Sequence, residues 1–395
     1  MRRRKPGDRE RGDASAGDSE DVVGVPLMSF DSFVGNELAI GMLRKALESQ
    51  RIASAYLFHG PDGVGKSLAA LDFAKALVCE GGGADACGAC SSCRRVDSGN
   101  HPDVHWYRPV GKMRLVKIGT VRELIAQTGL KAFEAKWKVF VIVEADRMNV
   151  EAQNAVLKTL EEPPGRSVLI LISSNPAGLL PTIVSRCQEI CFLPIPSDEL
   201  ESAIEETWGP GPEEARLVAS LACGSMGSAK RLLDRDNLGR RRSLFRLLAE
   251  GEQRSFGEVL STVAAVDNEL KGLARALRQK EEKRIKAMGK ALTAKEREDW
   301  MNEGSAVIAS TVREEVEDVL NLLAFWYRDL LLIKEGVTAD LVVNLDMVDA
   351  LRKAAARMTV SEIFSRLRAV EEARRGIALN LPLTLCLEVL YTSGG

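Results

Sequence analysis

The sequence predicts an α/β domain with a parallel sheet covered by helices on both faces, then a small helical domain, then an all-α region. Three observations point there. Two uninterrupted apolar runs of strand length, Lys138-Val-Phe-Val-Ile-Val143 and Val168-Leu-Ile-Leu-Ile172, are separated by a helical stretch from about residue 151 to 161. Strands with no polar alternation are those buried on both faces, as in parallel sheets. A glycine-rich turn joins a short apolar strand at residues 55–58 to a helix from Leu68 to Val78. Beyond Pro194-Ile-Pro196 the strand signals largely stop, and Leu, Ala, Arg and Glu recur at helical spacing, the pattern of a bundle.

The 395 residues divide accordingly. Residues 1–28 read as a disordered tail, with six cations against six anions and almost no apolar periodicity. Residues 29–195 form the α/β domain. Ile40, Leu43 and Leu47 give its first helix, and Pro163-Pro164 ends the helix before the second long strand. Residues 196–236 read as the small helical domain and 237–395 as the helical region. Within the latter, residues 271–290 carry eight Lys and Arg against two acids, which a solvated helix face explains as readily as nucleic-acid contact.

With 54 Lys and Arg against 56 Asp and Glu, the net charge of −2 excludes binding nucleic acid by bulk positive charge. No apolar run approaches the roughly 18 residues of a membrane span. The basic start lacks the apolar stretch of a secretory signal, so a cytoplasmic location is expected.

Gly60-Pro-Asp-Gly63-Val-Gly65-Lys66-Ser67 matches G-x-x-x-x-G-K-S between a strand and a helix. The glycines let backbone N–H groups turn toward phosphate oxygens. Lys66 supplies a cation, Ser67 a hydroxyl for Mg²⁺, and the helix N-terminus adds partial positive charge. ATP with Mg²⁺ is therefore a candidate ligand.

In an active ATPase of this type a buried strand ends in Asp, which helps hold Mg²⁺, followed by a Glu that polarises water. Here Glu144 takes the Glu position, but Val143 takes that of the Asp. Valine cannot coordinate magnesium, and Asp146 falls beyond the strand end. Weak or absent hydrolysis is expected.

Cys79, Cys87, Cys90 and Cys93 place four thiols within fifteen residues among glycines. Four thiolates suit a structural tetrahedral Zn²⁺ with no open position for water. Spacing alone leaves open an iron–sulfur cluster or unligated thiols. Cys187, Cys191, Cys223 and Cys386 are isolated and read as small core residues.

In order, the chain carries Phe33-Val-Gly-Asn-Glu37, Ala55-Tyr-Leu-Phe-His-Gly60, the phosphate loop, the cysteine insertion, Asn154-Ala-Val-Leu-Lys-Thr-Leu-Glu-Glu-Pro-Pro164 and Ser185-Arg-Cys187. This series, over roughly residues 30–235, resembles the bacterial DNA polymerase III clamp-loader subunits of the AAA+ class. The resemblance implies an AAA+ P-loop domain, a small helical lid and a C-terminal oligomerising collar. It also implies a hetero-pentamer with motor and delta subunits, loading a sliding clamp onto primed DNA as a component of the polymerase holoenzyme. It places Arg186 as an arginine finger for a neighbour's ATP and Ser174 and Asn175, after Ser173, at the sensor position. A motor subunit of the gamma/tau kind would have Asp in place of Val143 and a sensor Arg in place of Gly227, in Gly224-Ser-Met-Gly227. Both departures touch the chain's own nucleotide while Arg186 is kept, which favours the delta-prime kind. The alternatives are the motor subunit itself or a zinc-stabilised DNA-binding protein with a vestigial loop. Standing alone, Arg186 would be read as a surface ion-pair partner.

Overall fold

The structure, a computed structural model, describes residues 30–109, 114–234, 294–337 and 341–378, with Leu381 and scattered residues between 237 and 283. The expected tail, Cys386 and much of the basic stretch 271–290 lie outside the described residues.

Five parallel strands form one sheet in the order β2-β3-β4-β1-β5. They are β1 (Ala55–His59), β2 (Val104–Tyr107), β3 (Lys138–Ile142), β4 (Ser167–Ser173) and β5 (Gln188–Cys191). The three central strands are the apolar runs of the sequence, and β3 and β4 are buried along their whole length. The edge strands were not predicted, because they carry no such run. In β5 only Ile190 is buried, and β2 is half-exposed, with His105 stacked on Phe140 of its neighbour.

Helices cover both faces. On one side α1 (Glu37–Glu48) and α2 (Lys66–Val78) pack Leu43, Phe73 and Ala74 against Tyr56, Val141 and Ile170. On the other, α4 (Ile118–Thr128) and α5 (Val150–Glu161) pack Leu124, Val156 and Leu160 against Leu57, Phe140 and Leu171. Short α3 (Ser91–Asp97) follows the cysteine insertion, and α6 (Pro181–Val184) precedes β5. The central strands thus feed two apolar layers, each strand residue choosing its face by parity.

A third core begins at Ile195. It joins α7 (Ser197–Trp208), α8 (Pro212–Ala222) and α9 (Met226–Leu233) to the long helix Ala294–Lys334 and the helices Val348–Arg357 and Val360–Ala378. Among the described residues this part is helical. Arg241, fully buried, reaches both Asn344 and Asp346 through its guanidinium, and Asp329 accepts from the Asn344 backbone and side chain. Each buried charge there has partners, as burial demands.

The cysteines outside the cluster correct one expectation. Cys187 is half-buried, but Cys191 and Cys223 are exposed. Cys191 lies on the solvent side of an edge strand, and Cys223 closes α8 in the left-handed region at φ 47°. Neither packs a core.

The turn entering β2 is tied to the chain entering β3. Asp103, 1% exposed, accepts from the backbone N–H groups of Phe133, Glu134 and Ala135 at 2.6, 2.9 and 2.9 Å. Burial pushes its carboxyl pKa up, but the three amides and His101 outweigh burial, and it sits below the ordinary carboxylate range. A depressed carboxylate stabilises the fold above its unfolded pKa and loses that stabilisation as pH falls through the folded one. Asp103→Ala leaves three amides unpaired and is expected to cost about 2–4 kcal/mol in urea unfolding at pH 7. The gap from the parent should narrow as pH falls through the folded carboxyl's titration.

Candidate functional site

The carboxyl ends of β1, β3 and β4 lie side by side, with His59 level with Ser173 and Ile142 level with Leu171. In open parallel sheets this edge is where ligands bind. The predicted phosphate loop spans it, from Gly60 after β1 to Lys66 and Ser67 in the first turn of α2. Gly60, Gly63 and Gly65 have φ of 142°, 75° and 101°, where L side chains are strained. Close approach adds a second reason. A Cβ on Gly60 would stand 2.0 Å from the Phe192 carbonyl oxygen, one on Gly63 2.1 Å from the Ser225 hydroxyl, and one on Gly65 2.5 Å from the Phe33 ring.

Lys66 is 7% exposed. Its Nζ donates to the Gly60 carbonyl at 2.6 Å and to the Pro61 carbonyl, and lies 3.7 Å from Asp62. Burial lowers its pKa, with Asp62 and Asp146 opposing. The lysine therefore rests on its own loop. Ser67 is exposed at the head of α2.

The acidic positions are engaged within the chain. Val143 extends the ladder, its N–H donating to the Tyr107 carbonyl at 2.9 Å. Glu144 then turns into the left-handed region at φ 51°. Arg114, 8% exposed, donates to its carboxylate, and Arg147 lies 3.8 Å away. Burial pushes the Glu144 carboxyl up against the pull of both arginines. Asp146 accepts from the Ser173 hydroxyl at 2.6 Å. Ser173 is buried at the end of β4, and its hydroxyl also accepts from the Asn175 N–H at 3.0 Å. Ser174 and Asn175, the predicted sensor pair, are exposed beyond it. Arg114 was not anticipated. A single arginine thirty residues before its partner leaves no local signal.

The small helices close directly onto the loop. Gly227, in the first turn of α9, donates its N–H to the Gly63 carbonyl at 3.2 Å. A Cβ on Gly227 would lie 3.2 Å from the Gly63 Cα. One turn on, Arg231 pairs with Asp318 of the long helix at 2.6 and 3.1 Å, and its Nη1 stands 3.7 Å from where a Gly227 Cβ would lie.

Arg186 follows α6 on the surface. Its Nε donates to Glu161 Oε1 at 2.5 Å and its Nη1 to the Thr182 carbonyl at 2.9 Å. The two motifs that were read separately in the sequence, Leu-Glu-Glu-Pro-Pro and Ser-Arg-Cys, meet in this ion pair.

The four predicted cysteines converge. Their Sγ atoms lie within 4.8 Å of one another, with Cys79–Cys90 and Cys87–Cys93 at 4.0 Å. Thiolates on a tetrahedral ion at about 2.3 Å would stand roughly 3.8 Å apart, so the group fits a metal. Three successive N–H groups, of Cys87, Cys90 and Cys93, point to the Sγ of Cys79, Cys87 and Cys90 at 3.4 Å each. Hydrogen bonds from Ala89 and Cys90 bring the Cys87 thiol down to about 6, while burial pushes Cys93 up.

The comparisons with known proteins decide the family. A family model described as "DNA polymerase III, delta subunit" matches residues 35–196, and its C-terminal counterpart matches residues 280–380. The DNA polymerase III subunit delta' of Bacillus subtilis (strain 168) is 30% identical over 350 residues, which span 88% of this chain and 93% of that protein. The chain belongs to the DNA polymerase III delta' family. The delta' subunit of Pseudomonas aeruginosa is 39% identical over 182 residues, 46% of this chain and 56% of that protein. The tau subunit of B. subtilis is 34% identical over 211 residues, 52% of this chain and 37% of its own length. Among solved structures, a DNA polymerase III gamma subunit-related protein of Thermotoga maritima aligns with TM-score 0.40 at 17% identity, over 90% of this chain and 97% of that one. The delta' relative of B. subtilis thus covers nearly the whole chain, and the tau relative about half of it. No described helix is long and apolar enough to cross a membrane.

The purified chain is expected to carry a stoichiometric amount of metal by elemental analysis. Cys90→Ser should lose most of it, and alkylation of the cluster thiols should become fast only after chelation.

Proposed function

We propose that this chain is a delta-prime subunit of AAA+ type that hydrolyses ATP weakly or not at all and lends Arg186 to a neighbouring ATPase. In this reading it sits in a hetero-pentamer with motor and delta subunits in the cytoplasm. The complex opens a sliding clamp and closes it on primed DNA. The P-loop domain and lid occupy residues 29–236, and the helical region from 237 serves as the collar.

The observation that carries this reading is the state of the acidic edge. Val143 offers no metal ligand, Glu144 is held by Arg114, and Asp146 accepts from Ser173. A general base must reach water, and here the Glu144 carboxylate is paired with Arg114. The residues present therefore do not fit a catalytic Mg²⁺, and no hydrolytic step is assigned to this chain. The glycine amides still fit a phosphate, provided Gly227 leaves Gly63 and Lys66 leaves its own carbonyls. Zn²⁺ suits the four thiolates and would order an insertion that lacks a core of its own.

Arg186 can do chemistry of another kind. A guanidinium stays cationic and meets phosphate oxygens as charge develops. It stands on the surface, where a neighbour can reach it. The motor-subunit alternative would need the carboxylate that Val143 replaces. A zinc-stabilised DNA-binding protein would need more positive charge than a net −2 offers.

The test is reconstitution with a gamma/tau-type motor, delta, clamp and primed DNA. Arg186→Ala is expected to slow turnover at the adjoining motor site by roughly 10³-fold or more, read as lost burst amplitude in pre-steady-state ATP hydrolysis. Unchanged hydrolysis and loading would contradict the proposal.

A further inference from the structure

We infer that Glu161 is a positioning residue for Arg186, holding the base of the guanidinium so that its tip is presented outward. The inference rests on Arg186 acting on a neighbour. Glu161 is the last residue of α5, where Glu162 and then Pro163-Pro164 stop the helix. A carboxylate in the last turn faces the negative end of the helix dipole, so local helix energetics do not select it there. Its partner supplies the reason. Arg186 uses Nε on Glu161 and Nη1 on the Thr182 carbonyl. Nη2 has no partner among the described residues.

Of the five N–H donors, then, two are engaged, at Nε and at one hydrogen of Nη1, and three remain toward the tip, one on Nη1 and both on Nη2. That division matters because an arginine carries four rotatable bonds and loses much rotamer freedom when fixed. Two bonds within the chain hold the side chain before a neighbour arrives, so less ordering remains for the catalytic step. Both partners are exposed to solvent, with side chains 35% and 47% accessible. An exposed pair adds little to stability. Glu161 is therefore a residue for orientation, and its loss should show in turnover while melting stays put.

The experiment measures steady-state ATPase of the reconstituted loader, with motor, delta, clamp and primed DNA, using Glu161→Ala, Glu161→Gln, Arg186→Ala and the Glu161→Ala/Arg186→Ala double variant. Glu161→Ala is expected to lower kcat roughly tenfold, with KM for ATP and the melting temperature unchanged. Glu161→Gln keeps an acceptor oxygen and should recover most of the rate. In the Arg186→Ala background, Glu161→Ala should add nothing. If Arg186→Ala is slow but Glu161→Ala matches or exceeds the parent, Glu161 does not position the arginine, and this inference alone falls. A further loss from Glu161→Ala in the Arg186→Ala background would overturn it too. If Arg186→Ala is itself silent, the trans role fails and takes this inference with it.

Discussion

The phosphate loop can exist in this form only because three of its residues lack side chains. Gly60 lies under the Phe192 carbonyl, Gly63 against Ser225, and Gly65 against the Phe33 ring. Those contacts come from the chain after β5, from the cap of α9 and from the segment before α1. Three parts of the molecule thus converge on one turn of backbone. Any Cβ there would push one of them off, whatever it did to phosphate binding. The glycines that a phosphate needs are also what lets the small helices sit on the sheet.

That convergence also sets how the small helices meet the loop. Gly227 brings α9 down onto Gly63 where a longer side chain would hold it away. Arg231, one turn later, is committed to Asp318, so it braces the small helices against the long C-terminal helix. Arg114 occupies Glu144 from the other side. Of the acidic groups beside the loop, one is thus absent, at Val143, and two are engaged within the chain, Glu144 with Arg114 and Asp146 with Ser173. Arg186 lies outside this knot, at the end of α6, and is held only by exposed contacts. The division between an inward face spent on rigidity and an outward cation is the physical content of the proposed role.

Much of this was legible in the sequence, where the signal was contiguous. The phosphate loop, the cysteine cluster and the central apolar strands are each local patterns, and each forms where expected. The short edge strands β2 and β5 gave little signal, because an edge strand with one exposed face has no apolar run to read. Cys191 and Cys223 were misjudged for a related reason: cysteine is commonly buried, but an edge strand and a helix-closing turn override that tendency. The Arg114–Glu144 and Arg186–Glu161 pairs span 30 and 25 residues. Nothing in composition or period links such residues, and only the packed sheet brings them together. The delta-prime character, by contrast, was readable from two single positions, Val143 and Gly227, because the chemistry lost there is specific.

The central claim is that the chain turns over nucleotide at its own loop weakly or not at all. The most direct measurement is ATP hydrolysis by the isolated chain with Mg²⁺, beside its Lys66→Ala variant. The account predicts rates at or near background for both, far below those of a motor subunit. Steady turnover by the parent at motor-subunit rates that disappears in Lys66→Ala would contradict it, since Glu144 or Asp146 would then be working despite the partners that hold them.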